Sequence, residues 1–244
     1  MKNSMKNYFL LATLAGSLLG QVFGQSIQAL VNRGSCYIVI TTEGPEGWTV
    51  EGDSNVRDNV AVNLKNGVLI ITDKSKKKKV NMETLTVRVV ASKLSKLQQL
   101  GSGSMELNNM NYNTLEVELK GSGDMVLRGT CNKLTANVEG SGNLHASQLQ
   151  CQSAEIHLKG SGDIKLGGSC DKLELRQEGS GNILAKELLC KTVEIKLVGS
   201  GDTDVSVSDK LKVELIGSGD VRYYGEPKLE SKVIGSGSGS VQRQ

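Results

Sequence analysis

The chain has 244 residues with 29 basic and 26 acidic side chains, which give a formal net charge of +3. Because the basic and acidic side chains are nearly equal in number, the protein has no electrostatic field strong enough to favour nucleic acid or an anionic membrane as a partner. Aromatic residues make up only 3% of the sequence, so the core must be aliphatic.

The N-terminus predicts a signal peptide over residues 1–24. Two lysines precede a short apolar run, Phe9–Gly20, and cleavage is predicted before Gln25. The run is too short to span a bilayer, and no later segment is continuously apolar for longer. We therefore predict an exported protein that does not span the membrane and that resides in the periplasm, at the cell surface or outside the cell.

Residues 25–100 contain strand-like runs and predict an N-terminal β region, which caps or begins the main structure. A basic run, Lys74–Lys79, falls between the strand-like segments GVLIIT and VNMETLTVRVV. We interpret it as a solvated hairpin turn rather than as a site for a polyanion.

Residues 101–244 are organised by a recurring tetrapeptide, Gly-Ser-Gly followed by Asp, Asn or Ser. The spacings between successive copies are 20, 19, 20, 19, 20, 18 and 18 residues. A period of this size indicates one supersecondary unit per repeat, stacked on its neighbours to share a core. The first glycines of the copies are Gly101, Gly121, Gly140, Gly160, Gly179, Gly199, Gly217 and Gly235.

Each repeat shows period-two alternation before its glycine corner, as in Leu115, Val117 and Leu119, and a second short alternation after it. The polar linkers are too short for a crossover helix, so three short strands form each coil. The sequence predicts an all-β fold, a right-handed parallel β-helix or solenoid with coils of 19 to 20 residues. Residues 25–244 are expected to form one continuous domain.

Aligning the repeats predicts columns of equivalent side chains along the stack. The position after each Gly-Ser-Gly carries an acid or an amide, and their alternation keeps like charges apart. We expect this polar column to be a contacting surface. Its members are Asp124, Asn143, Asp163, Asn182, Asp202 and Asp220. A second column, just before the glycine, alternates in charge and predicts an ion-pair ladder of Lys120, Glu139, Lys159 and Glu178.

A third column contains cysteines that are expected to point inward at neighbouring coils. Adjacent parallel strands allow disulfides in an exported protein, but buried thiols are an equal alternative. A metal site is disfavoured because the sulfur atoms form a straight column without histidine. The column contains Cys131, Cys151, Cys170 and Cys190.

These repeats, together with the opening strands CYIVITTEG and the ending GSGDVRYYGEPKLESKVIGSGSGSVQR, resemble the head GIN domain family of putative auto-transporter adhesins. This family has no assigned biochemical function and is common in exported proteins of Bacteroidetes-type bacteria. The resemblance covers most of the mature chain. It implies a right-handed β-helix preceded by a more ordinary β region, and it brings no catalytic residues.

The motif GSGD also resembles a calcium-binding nonapeptide, but the period here is about twice too long and every second Asp is Asn. We therefore predict no metal or other cofactor, and keep calcium as an alternative with Asp202 beside Asp220 as its place. The equivalent carboxylates and the scarcity of aromatic residues do not fit a carbohydrate-cleaving site, so we predict no catalytic residues.

The sequence thus predicts an exported, non-enzymatic, adhesin-like protein that binds a glycan or a surface protein. A structural scaffold of the cell envelope is the alternative, and a carbohydrate-active enzyme is a third interpretation. No nucleic-acid partner is expected. The repeats do not specify the ligand or the oligomeric state.

Overall fold

The computed structural model describes residues 10–14, 17–21, 26–74, 85–235 and 237–244. The elements in chain order are β1 (Leu10–Leu14), β2 (Ser17–Gln21), β3 (Ala29–Asn32), β4 (Tyr37–Thr41), β5 (Gly47–Glu51), α1 (Ser54–Arg57), β6 (Val60–Lys65), β7 (Val68–Asp73), β8 (Thr86–Val90), β9 (Lys96–Gln99), β10 (Met105–Gly121), β11 (Met125–Gly140), β12 (Leu144–Gly160), β13 (Ile164–Gly179), β14 (Ile183–Gly199), β15 (Thr203–Gly217), β16 (Val221–Tyr224), β17 (Lys228–Ile234) and β18 (Val241–Arg243). Among these residues, no helix is long and apolar enough to cross a membrane.

The repeats form a parallel β-solenoid of about seven turns, as the sequence predicts. Strands β10 to β15 each contain one coil and pair in parallel with the next coil, with their corner glycines aligned. The inward positions are aliphatic and almost completely buried, so one continuous core runs through the stack. Each coil is a single bent strand rather than three separate ones, because the parallel pairing continues around the other corners through small register shifts.

The N-terminal region extends the solenoid with strands that are out of chain order. On one side of the stack the strands pair in the order β10, β9, β3 and β7, all parallel. Strand β6 then pairs with β7 in the antiparallel direction and is the last strand on this side. On another side β10 follows β4 and β8 in parallel, and β5 is antiparallel to β8. The predicted N-terminal β region is therefore the beginning of the stack.

The predicted hairpin between the two runs that flank Lys74–Lys79 is wrong. Strand β7 lies between β3 and β6, and β8 lies between β4 and β5, so both edges of each strand are already paired and the two do not pair with each other. Residues 75–84, which hold most of the lysine run, lie outside the described residues.

The predicted signal peptide contains β1 and β2. Their backbones form an antiparallel pair, and β2 lies antiparallel to β5. Removal of this segment on export stays a prediction. At the other end of the stack β17 pairs with β15, and β16 is covered by β18.

Two buried polar side chains interrupt otherwise apolar columns and meet inside the solenoid. Gln177 is aligned with leucines of the coils on both sides, and Thr203 is aligned with Ile183 and Val221. The Thr203 hydroxyl donates to Gln177 Oε1 at 2.5 Å, and Gln177 Nε2 donates to the carbonyl of Gly181 at 2.6 Å. The two departures from the repeat thus compensate each other.

We expect Thr203→Val alone to lower the free energy of unfolding by about 1 to 2 kcal/mol, because it leaves the Gln177 carbonyl buried without a donor. The double variant Gln177→Leu/Thr203→Val should recover most of this loss, since both polar groups are then removed together. Equilibrium urea unfolding of the two single variants and the double variant measures the coupling. Additive losses in the double variant would contradict the pairing.

Candidate functional site

The acid and amide column is assembled as predicted, and its members are linked to one another by hydrogen bonds between successive coils. Asn143 donates to Asp124 Oδ1 from its backbone nitrogen at 3.1 Å and from Nδ2 at 2.9 Å. The backbone nitrogen of Asp163 then donates to Asn143 Oδ1 at 2.9 Å. The same backbone contact links the later members, Asn182, Asp202 and Asp220, and ends at Ser240. One side-chain oxygen at each step therefore supports the corner of the next coil.

The place predicted for calcium, Asp202 beside Asp220, holds an arginine instead. Arg222 Nη2 lies 3.1 Å from Asp202 Oδ2, and its Nε lies 2.7 Å from Asp204 Oδ1. The guanidinium supplies the positive charge that balances these neighbouring carboxylates. Among the described residues, no three His, Cys, Asp or Glu side chains gather as metal ligands. The calcium alternative and the expected absence of cofactors both stay predictions.

The predicted ion-pair ladder has the right register but only one close pair between its members. Lys120 Nζ lies 3.8 Å from Glu139 and 2.5 Å from Glu118 in its own coil. Hydrogen bonds from Lys120 and Gln98 hold the pKa of Glu118 below its usual value. Among the described residues, the next members, Lys159 and Glu178, are aligned without an ion pair.

A more distinctive surface lies on the outward side of the strand segments that precede three glycine corners. Strand register places an acidic column directly beside a basic column on coils β12, β13 and β14. We call this surface the charged face. Its residues are Glu155, Glu174 and Glu194 in the acidic column and His157, Arg176 and Lys196 in the basic column.

Each member of the acidic column of the charged face contacts a nitrogen of a neighbouring side chain. Glu155 lies 3.1 Å from His157, and Glu174 lies 2.5 Å from Lys172. Glu194 lies 2.5 Å from Lys212 of the next coil.

The basic column is not neutralised in the same way. Arg176 and Lys196 are exposed and, within the described structure, form no ion pair, although Glu214 of the next coil is aligned with Lys196. They lie on neighbouring strands in register. The charged face therefore presents two adjacent exposed cations, neither of which forms an ion pair in the described structure.

The cysteine column is in register across four coils, and its thiols are free. Cys151 Sγ lies 3.2 Å from Cys170 Sγ. Hydrogen bonds from Cys151 and Cys190 lower the pKa of Cys170, and the same hydrogen bonds with burial raise the pKa of its two neighbours. Burial raises the pKa of Cys131 to about 11.

A groove of about 710 Å³ opens beside the cysteine column. It lies beside the segment of β14 where the register with β15 shifts twice, between Ala185 and Leu189 and between Cys190 and Thr192. Leu189 lies between the small residues Ser169 and Ser206 of the neighbouring coils and is 66% exposed. Cys151, Cys170 and Leu189 are among the residues that line this groove.

The charged face, the contacts of Arg222 and the groove were not predicted from the sequence. Only the groove had a readable signal, the fall in repeat spacing to 18 residues near the C-terminus.

Comparisons with known proteins agree with this architecture. A solved structure of a putative adhesin from Parabacteroides distasonis is 24% identical, with a TM-score of 0.83 over 93% of this chain and 96% of that chain. A putative adhesin from Parabacteroides merdae is 23% identical, with a TM-score of 0.81 over 94% and 96%. A putative lipid binding protein from Parabacteroides distasonis is 24% identical, with a TM-score of 0.81 over 94% and 97%. At these identities the likeness shows the fold.

No curated protein matches the chain. The model of one sequence family matches residues 28–165 and again 133–227, which together cover most of the chain. That family is described as putative auto-transporter adhesin, head GIN domain, and this chain belongs to it.

Proposed function

We propose that this protein is an exported, non-enzymatic, adhesin-like module that binds an acidic surface glycan through the charged face. The observation that carries the proposal is the pair of exposed cations, Arg176 and Lys196, which lie on adjacent strands and form no ion pair in the described structure. Neighbouring strands lie about 4.8 Å apart, so the two cations meet successive groups of an extended anionic chain. Arginine also binds carboxylates and sulfates in a bidentate geometry.

The charged face fits this role better than the acid and amide column does. In the acid and amide column, one side-chain oxygen accepts a hydrogen bond from the backbone of the next coil, so this oxygen already has a partner within the protein. The charged face is instead flat, rigid and outward-facing, with a solenoid core directly behind it. Rigid presentation reduces the entropy that is lost on binding.

The groove beside Leu189 supports a second candidate, the binding of an acyl chain or another apolar group. An exposed leucine in a concave, mostly apolar site is the usual feature of such binding. A structural relative of 24% identity is named a putative lipid binding protein. A structural envelope scaffold, without either ligand, is the third candidate.

We expect the purified protein to bind acidic polysaccharides saturably, and the variant Arg176→Gln/Lys196→Gln to bind about tenfold or more weakly, which corresponds to roughly 1.4 kcal/mol. The binding should also weaken as salt is added. A panel of acidic and neutral polysaccharides with phospholipid vesicles, measured by biolayer interferometry, checks both expectations.

The matched control is Lys165→Gln/Lys186→Gln, which removes the same charge from exposed positions on the first strand segments of their coils. It should retain the affinity of the unaltered protein. Equal losses in both double variants would overturn the charged face as the site. Binding to vesicles that is lost in Leu189→Ser and kept in Arg176→Gln/Lys196→Gln would favour the groove, and no binding at all would favour the scaffold.

A further inference from the structure

Three cysteines of neighbouring coils form a contiguous thiol cluster with one shared member. Strand register aligns Cys170 with Cys151 of the coil before it and with Cys190 of the coil after it. Its sulfur lies 3.2 Å from that of Cys151, and the Cys190 thiol donates to the carbonyl of Leu188 at 3.6 Å. Strands about 4.8 Å apart lie within the Cα separation that a disulfide requires, so both neighbours satisfy the distance condition.

The cluster is reachable from solvent, although two of its members are almost fully buried. Cys151 is half-buried, whereas Cys170 and Cys190 are each 4% exposed. All three line the groove of about 710 Å³. A second groove, of about 440 Å³, reaches Cys151 from the opposite direction. A small molecule can therefore approach the thiols without unwinding a coil.

We propose that Cys151, Cys170 and Cys190 form a thiol–disulfide exchange site, in which Cys170 is the shared partner of two alternative disulfides and a small organic disulfide is the oxidant. The site is independent of the charged face, which lies on another side of the coils.

The chemistry balances in two exchange steps. The thiolate of Cys151 or Cys170 attacks one sulfur of the small disulfide, which forms a mixed disulfide and releases one thiolate. The other cysteine of the pair, after losing its proton, attacks the protein sulfur of the mixed disulfide and releases the second thiolate. The protein loses two electrons and two protons, and the small disulfide becomes two thiols.

The third cysteine gives the site a further step without a net change of oxidation state. The Cys190 thiolate attacks the Cys170 sulfur of the Cys151–Cys170 disulfide, and Cys151 leaves as a thiolate. The cross-link thus moves one coil along the stack. Hydrogen bonds from both neighbours lower the pKa of Cys170, which favours its thiolate in the reduced state.

The other two cysteines serve as internal references. Cys131 aligns with Cys151, but its sulfur forms no hydrogen bond with another cysteine sulfur in the described structure, and it does not line the larger groove. Cys36 lies apart from the column, and burial with the nearby charge of Asp73 raises its pKa to about 12. Neither is expected to react at the rate of the cluster.

The test incubates the reduced, folded protein with oxidised glutathione, quenches it with acid, alkylates the remaining thiols and maps cross-links by mass spectrometry after trypsin. Lys159 and Lys165 separate Cys151 from Cys170, and Lys172, Arg176 and Lys186 separate Cys170 from Cys190, so each disulfide gives a distinct peptide pair. The variants are Cys151→Ser, Cys170→Ser and the control Cys131→Ser. Circular dichroism of each variant reports that it is folded.

We expect a Cys151–Cys170 cross-link in the unaltered protein and in Cys131→Ser, and a Cys170–Cys190 cross-link in Cys151→Ser. Cys170→Ser should form no cross-link between Cys151 and Cys190, because these two cysteines are two coils and about 9.6 Å apart. A dominant Cys131–Cys151 cross-link would overturn the assignment. Complete alkylation of all five thiols in the folded, oxidant-treated protein would also overturn it, as would a cross-link in folded Cys170→Ser.

Discussion

Replacement of Gly160 by alanine is expected to lower the free energy of unfolding by about 3 kcal/mol or more. Gly160 has a φ of +134°, a conformation that L side chains rarely adopt. A Cβ at this position would also lie closer than 3.0 Å to the carbonyl oxygen of Gly140 in the preceding coil. The neighbouring backbone cannot move away, because the same contact recurs along the whole stack.

The variant Gly235→Ala separates the two causes of this loss of stability, the backbone strain and the steric clash. Gly235 has a φ of +104° but no atom within 4 Å of the added Cβ, so it carries the backbone strain without the steric clash. We expect it to cost about 1 kcal/mol. Urea unfolding followed by circular dichroism measures both variants, and failure of Gly160→Ala to fold while Gly235→Ala folds would agree with the prediction. Equal small losses would show that the close stacking of the corners is wrong.

Replacement of Leu175 by alanine should lower the free energy of unfolding by about 3 kcal/mol, because it leaves a cavity in the middle of the aliphatic core. Leu175 is 1% exposed and faces inward in the coil at the centre of the stack. Neighbouring coils place Ile156 and Ile195 directly against it in the same column. Little relaxation is available at a position that is packed from both sides.

The adjacent residue provides the control for Leu175. Arg176 points out of the same strand, so Arg176→Ala should change the free energy of unfolding by less than about 0.5 kcal/mol. Thermal and urea unfolding of the two variants therefore report which way each side chain faces. Similar losses for both would contradict the strand register.

The coils were predictable because one residue pattern repeats with one spacing. Alternation in Leu115, Val117 and Leu119 marks the inward side of a strand, and the glycine corners fix the register of the next coil. The N-terminal strand order was not predictable from local patterns. Strand β3 lies between β7 and β9, which are distant from it in the chain, and such pairings leave no local signature in an alternating sequence.

The sequence placed the acid and amide column correctly but could not show what its oxygens contact. Hydrogen bonds from the backbone of Asp163 to Asn143 depend on the exact rise between coils, which residue spacing does not contain. The exposed cations at Arg176 and Lys196 were missed for a related reason. Whether a cation forms an ion pair depends on side-chain geometry: Glu194 pairs with Lys212, whereas Lys196 forms no ion pair although Glu214 is aligned with it.

The most direct test of the proposed function is to measure polysaccharide binding and polysaccharide chain length in the same sample. We expect saturable binding that depends on Arg176 and Lys196, while the size distribution of the polysaccharide stays unchanged over a long incubation. That result would support an adhesin-like binding module without catalytic activity. Shortening of the polysaccharide by the unaltered protein, or binding that is indifferent to both cations, would contradict it.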